Sequence, residues 1–240
     1  MPYVPVSFIL VFMRESNLKR KIVIAWQFFE WFLAYIPLRT IFYFKKEYPR
    51  DEDIATRPLL IVSNHKHVFD PWFITLSLPF SQFRKILPIR FLATRNFKNP
   101  LFNIIYWVII YPFMYWPNGV YVLPPRGKDA HLTIDEKTQE VREAMANHEA
   151  LLFFAEGGLY KKEGVGEFKR GATYIQKETG ASILPLAIRF KGVWWLPWPL
   201  GKRYISWSKQ IIYIPKEMVN NEHIASARLR EHVVFLYEKK

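Results

Sequence analysis

The residues best suited to chemistry fall within fifteen positions. The stretch 59–73, LLIVSNHKHVFDPWF, runs from an apolar segment into Asn64, His65, His67 and Asp70. The chain has six histidines in all, so two at the end of one apolar run form a notable concentration. A histidine handles protons near neutral pH, and a carboxylate on one ring nitrogen fixes which nitrogen is left to accept a proton. His65 and Asp70 are five positions apart. That spacing does not bring side chains together on a regular helix, where neighbours are three or four apart, but it can across a turn that enters a helix. Asp70-Pro71 has the pattern of an N-cap aspartate followed by a proline at the first helical position. LLIVS has the length and character of a strand covered on both faces. The pair is therefore expected on a strand-to-helix junction, with His65 as general base toward a hydroxyl, Asp70 orienting its ring, and Asn64 and the helix N-terminus adding donors. Taken singly, Asp70 would be only a cap and His65 only a hydrogen-bonded strand end.

Other chemistries fit less well. His65, His67 and Asp70 read as H-x-H-x-x-D, one position off the H-x-H-x-D-H of the metallo-β-lactamase-type hydrolases. The remaining histidines (131, 148, 223 and 232) lack ligand spacing, so a zinc site has little support and no metal is expected. No G-x-S-x-G elbow and no G-x-x-x-x-G-K-[ST] loop occurs. The absence of cysteine excludes a disulfide framework, thiolate ligands and a cysteine nucleophile.

The 240 residues are half hydrophobic and 18% aromatic, enough for a sizeable core, and the net charge is +13. Such a basic chain seeks phosphates. Nine tryptophans and thirteen tyrosines beside many lysines and arginines favour a membrane surface, where amphipathic rings sit at head-group depth. No helix-turn-helix, zinc-finger or aromatic ribonucleoprotein signature points to nucleic acid.

The elements that must position the junction read as follows. Residues 3–13 are apolar, but without a preceding basic region or a small-residue cleavage site they do not read as a secretory signal. Residues 22–36 are apolar but, at ~1.5 Å per residue, reach only about 22 Å, short of a bilayer core of roughly 30 Å. Arg20, Gln27 and Glu30 form one polar stripe on this helix, and Pro37 is expected to end or kink it. Two placements are open: a helix lying in or re-entering a membrane interface, or a helix buried against the main domain. Strands are expected at 39–47, 59–63, 119–123, 150–154, 182–188 and 210–215. Helices are expected from Asp70, over 133–148, over 168–180 with Gly180 at the end, and over 222–240 with Asn220 or Asn221 near its cap. The alternation argues for an α/β domain over 39–240, a single mixed or mostly parallel sheet flanked by helices, behind an N-terminal membrane-associating helical segment over 1–38. Residues 101–117 are apolar enough to wall an acyl pocket, touch lipid or form plain core. The tryptophan-rich 192–203 reads as an interfacial anchor or a packed loop.

Read as N-H-x-x-x-x-D, NHKHVFD resembles the first signature of the glycerolipid acyltransferases, the 1-acylglycerol-3-phosphate acyltransferase family. FLATRNF (91–97), GVYVLPPR (119–126), FAEGG (154–158), FKRGA (168–172) and ILPLAI (183–188) resemble its later elements in family order, so the likeness covers roughly 55–190. It implies a membrane-associated enzyme, monotopic or re-entrant on the cytoplasmic face. It would move an acyl group from acyl-CoA or acyl-carrier protein to the hydroxyl of a lysophospholipid, 1-acylglycerol-3-phosphate foremost. His65 and Asp70 would be catalytic, and no cofactor is implied beyond the thioester co-substrate. Asn64, Arg95, Arg126, Glu156, Gly157 and Gly158 are the implied substrate-binding residues. Two departures bear on the acceptor. Gly158-Leu159 stands where the family has Thr-Arg after Glu-Gly, and Arg126 comes one position late, with Pro125 in its place. Lys161, Lys162, Lys169 or Arg170 would then have to meet a phosphate. Another lysolipid or amino-lipid acceptor, or a non-catalytic basic lipid-binding protein, remains the alternative.

Overall fold

The computed structural model describes residues 17–41, 43–67, 69–94, 121–123, 139, 141–160, 162–192, 201–215, 218 and 221–239. Helix α1 (Asn17–Ile41) leads into β1 (Tyr43–Glu47), α2 (Asp51–Ala55), β2 (Leu59–Ser63), α3 (Asp70–Ser77), α4 (Phe80–Ile86) and β3 (Ile89–Thr94). Then come β4 (Tyr121–Leu123), a helical stretch over 141–146, β5 (Ala150–Phe154), α5 (Gly171–Thr179), β6 (Ser182–Gly192), β7 (Gly201–Trp207) and α6 (Glu222–Glu238). The strands form one seven-stranded mixed sheet in the order β1-β7-β6-β2-β5-β3-β4. Every pairing is parallel except β6 with β7.

β2 lies between β5 and β6, and all five of its residues are buried. Its side chains alternate between the two faces of the sheet, as the pleat requires. Leu59 and Ile61 join a core formed with α1, α3 and α4, including Trp31, Phe73, Leu76 and Phe83. Leu60 and Val62 join a second core formed with α5, α6 and the 141–146 stretch, including Met145, Ile175, Leu229 and Val233. The result is a sheet covered by helices on both sides, which explains why its central strands read as continuous apolar runs.

Several expectations change. α1 runs unbroken through Pro37 to Ile41, so the expected boundary at 38 falls inside a helix and β1 starts only at Tyr43. A proline within a helix removes one bond to the carbonyl four residues back. Here that is Leu33, which lies on the exposed face. Residues 210–215 form no strand but a single bridge, in which Ile212 exchanges both backbone bonds with Ile183. β7 pairs with β6 only from Leu186 onward, so Ile212 covers the open edge before it. Strands β3 and β7 and the short helices α2 and α4 are additions to the expected list. The apolar segments 3–13 and 101–117 and the tryptophans at 194, 195 and 198 lie outside the described residues.

The polar stripe on α1 turns inward. Arg20 approaches Glu149 at 3.6 Å, Glu30 accepts from Trp72 Nε1 at 3.3 Å, and Gln27 is buried. Gln27 donates to the Ile89 carbonyl at 2.7 Å and accepts from the Ile89 amide at 3.1 Å. Among the described residues β4 pairs with β3 from Leu92, and the Gln27 amide satisfies the backbone groups of Ile89 at the start of β3. About half a turn round the helix from Gln27, Leu18, Phe29, Phe32 and Leu33 face outward, with Phe32 74% exposed. No described helix is long and apolar enough to cross a membrane. Gln27→Leu strands both Ile89 groups in a dry site, at about 1–3 kcal/mol for each unpaired group. We expect a stability loss of about 2–6 kcal/mol, read from the urea midpoint.

Candidate functional site

The site forms where β2 and β5 end. From Ser63 the chain leaves the sheet through Asn64 to Lys66, turns, and re-enters regular structure at Asp70. Asp70 does not cap α3 as expected. It sits inside the first turn, with Phe69 at the cap position, and its carboxylate points back along the chain. One oxygen, Oδ2, accepts from the amides of Lys66 at 2.6 Å and His67 at 2.8 Å, and lies 3.0 Å from His65 Nδ1. The five-residue spacing thus closes a tight loop around a single acceptor atom. Asp70 is fully buried, whereas the His65 side chain keeps 17% exposure. The imidazole stacks on Phe154 at the end of β5, with centroids 4.0 Å apart and planes 18° from parallel. With Nδ1–H directed at Asp70, the other ring nitrogen, Nε2, makes no hydrogen bond among the described residues. This arrangement can take a proton from a nearby hydroxyl and stabilise the resulting imidazolium.

Asn64 takes a different place from the one expected. It is fully buried; its amide nitrogen donates to the Ile188 carbonyl at 2.9 Å, and its oxygen accepts from the Ile188 amide at 2.8 Å. The side chain extends the pairing of β2 with β6 past the end of β2 and belongs to the sheet rather than to a substrate surface.

Glu156 also faces the protein. Its Oε2 accepts from the His65 amide at 2.7 Å and its Oε1 from the Gly166 amide at 2.5 Å. Burial pushes this carboxyl above its ordinary value, against the opposing pull of the two amides, of Lys66 and of His65. Gly157 has φ of 69°, the left-handed region that glycine occupies freely, and its N–H closes the turn on the Phe154 carbonyl. Gly158 is exposed, with open space where a Cβ would sit. Leu159, in the position where an arginine was sought, is exposed as well. Lys169 and Arg170 are exposed and reach Glu167 at 3.9 Å and Glu222 at 3.7 Å. Arg95, Arg126 and Lys161 lie outside the described residues. His67 Nδ1 accepts from the Phe69 amide, and no group of three His, Asp or Glu side chains able to hold a metal occurs among the described residues.

The sequence reading overlooked Lys66, Tyr160 and Gly166. Tyr160 donates its amide to the His65 carbonyl at 2.8 Å. Lys66 sends its ammonium to the carbonyls of Tyr160 at 3.3 Å, Lys162 at 2.7 Å and Gly164. A Cβ on Gly166 would come within 2.7 Å of the Tyr160 ring and 3.0 Å of Glu156 Oε1, so glycine is required by close approach. Only the position of Lys66 inside the motif hinted at any of this.

A mixed sheet between helical layers, with a histidine–aspartate pair at the carboxyl end of a central strand, defines an α/β fold with a site suited to proton transfer. A sequence model of the Acyltransferase family matches residues 42–189, more than half the chain, and the chain belongs to that family. The "Probable 1-acyl-sn-glycerol-3-phosphate acyltransferase" of Mycoplasma genitalium is 25% identical over 138 residues. That match covers 58% of this chain and 46% of the relative, so the chain spans about half the length of the curated relative it matches. In fold it is similar to the crystal structure of the 1-acyl-sn-glycerophosphate (LPA) acyltransferase PlsC from Thermotoga maritima. The TM-score is 0.52 at 18% identity, over 97% of this chain and 90% of the other. The family match and the likeness in fold agree: this is an acyltransferase-family chain on an α/β sheet. Replacing Gly166 by alanine forces Tyr160 or Glu156 aside; overpacking of this kind costs about 1–3 kcal/mol, and we expect a melting midpoint lowered to match.

Proposed function

We propose that this chain is a membrane-surface O-acyltransferase that moves a fatty acyl group from a thioester, acyl-CoA or acyl-carrier protein, to the free hydroxyl of a lysophospholipid. The first acceptor to consider is 1-acylglycerol-3-phosphate, which would give phosphatidic acid. The observation that carries this reading is the 3.0 Å contact of His65 Nδ1 with a fully buried Asp70, which leaves Nε2 as the proton acceptor. His65 Nε2 removes the hydroxyl proton as the oxygen attacks the thioester carbonyl. The tetrahedral adduct collapses with loss of the thiolate, which takes the proton back from the imidazolium. No acyl-enzyme forms, so a chain without cysteine or a serine elbow is adequate. Asn64 and Glu156 act in this scheme by holding the junction rather than by binding substrate, and Arg95 and Arg126 remain the candidates for the anionic head group.

The apolar face of α1 supports association with a lipid surface without crossing it, and the cytoplasmic face is the side this reading assigns. Trp72 joins that helix to the site: it follows Asp70 by two residues, bonds Glu30 and lies 5.5 Å from the exposed Phe69 ring. A small, mostly apolar cleft under α1, lined by Trp31, Trp72, Leu76 and Phe83 with Gln27, Glu30 and Thr75 among its walls, is a candidate start for an acyl slot. One observation favours a second acceptor class: exposed Leu159 offers no charge for a phosphate where the family has arginine. A lysolipid with another head group is then acylated by the same chemistry.

Mass spectrometry of lipids formed from mixed lysolipids and both thioester donors tests the reading. We expect thioester-dependent diacyl product, with lysophosphatidic acid the preferred acceptor. Failure with every lysolipid would favour a non-catalytic lipid-binding protein. His65→Ala should lower kcat by about 10²–10⁴, the usual worth of a positioned base. Asp70→Asn should cost up to about 10⁴, as loss of the orienting aspartate does in a serine-protease triad, with circular dichroism confirming the fold. Phe32→Glu with Leu33→Glu should reduce co-sedimentation with anionic vesicles while leaving the melting midpoint unchanged.

A further inference from the structure

Lys66 lies between the catalytic pair in sequence, yet its side chain turns away from both. Its ammonium is surrounded by carbonyl oxygens of one loop: Tyr160 at 3.3 Å, Lys162 at 2.7 Å and Gly164. Two tyrosine rings lie beside the half-buried side chain, their centroids 4.8 Å (Tyr160) and 5.5 Å (Tyr237 of α6) from the ammonium. Tyr237 also accepts from the Gly164 amide at 3.3 Å, so the same loop is held from its far side. An ammonium is a compact charge with three donors, which matches three convergent carbonyls.

The loop so gathered is joined to the reacting residue at several points. Ala155 donates to the Ser63 carbonyl at 3.1 Å and Tyr160 to the His65 carbonyl at 2.8 Å. His65 donates to Glu156, which accepts in turn from Gly166. Meanwhile the Lys66 amide donates to Asp70 Oδ2. Residue 66 therefore links both halves of the site: its main chain fixes the carboxylate, and its side chain fixes the segment that grips the histidine backbone. Loop carbonyls repel one another when they converge, and a cation at their centre is what makes the turn favourable.

We propose that Lys66 is a positioning residue for acyl transfer, its ammonium serving as an internal cation that folds loop 156–166 around the His65 main chain. The proposal rests on the acyl-transfer reading above. It predicts a kcat effect rather than a binding effect, because what the loop holds is the base.

The test combines activity with hydrogen exchange on the full chain in vesicles. Lys66→Met keeps the stem and removes the charge. We expect the amides of His65, Tyr160 and Gly166 to exchange about tenfold or more faster, while those of β2 and α6 stay unchanged. Lys66→Ala should lower kcat by about ten- to a hundredfold, with KM for the thioester within about twofold, and millimolar n-propylammonium should restore a substantial part of it by refilling the vacated position. Rescue also establishes that the variant is folded. Unchanged exchange in Lys66→Met overturns the proposal whether or not a substrate is known. So does a folded Lys66→Ala with wild-type kcat, or one whose lost activity no alkylammonium restores. If wild type transfers no acyl group to any lysolipid, the functional reading falls, and the exchange measurement still decides the role of Lys66.

Discussion

Everything at the junction turns on one buried oxygen. Asp70 Oδ2 has no access to water and receives two amides and one imidazole nitrogen within 3.0 Å. An isolated carboxylate in such a place would be costly; three donors, two of them backbone groups fixed by the turn, make it tolerable. The arrangement also removes freedom from the histidine. With Nδ1 committed and the ring flat against Phe154, the imidazole can neither rotate nor exchange tautomers at low cost. The order around His65 is supplied by main chain laid down between Ser63 and Asp70.

The second layer of support comes from farther along the chain. Asn64 fixes the exit of β2 to β6, and Glu156 fixes the His65 amide to Gly166. Both are polar side chains of the kind that reads as a ligand contact in a sequence, and both direct their hydrogen bonds to the protein itself. The Glu-Gly element is thus an internal brace, and its raised carboxyl value reflects burial opposed by those bonds.

How far the sequence revealed this depends on the range of the forces involved. β2, β5 and the start of β6 were legible because strands buried on both faces must be apolar throughout, and Gly180 and Asn221 marked helix ends through local backbone chemistry. The His65–Asp70 pair was legible because five residues span it. Lys66 and the 160–164 carbonyls are about a hundred positions apart, and a lysine carries no mark of what its ammonium will meet. β7 escaped notice because its mixed residues pair antiparallel with β6 and parallel with β1, a register fixed by partners rather than by its own pattern. Of the two outcomes expected at Pro37, an end or a kink, the end does not occur, because a proline costs a helix a single bond and the docked body of α1 carries it to Ile41.

The inward stripe of α1 has a consequence for where the domain can work. Packing of oily side chains holds two elements together only while water is the competitor; against hydrocarbon, that incentive fades. Hydrogen bonds behave the other way and gain strength as the surrounding dielectric falls. A helix stitched to β3 through Gln27 and to α3 through Glu30, with phenylalanines on its outer side, is therefore fastened by forces that survive immersion in oil. It can lean against acyl chains without being pulled off the enzyme.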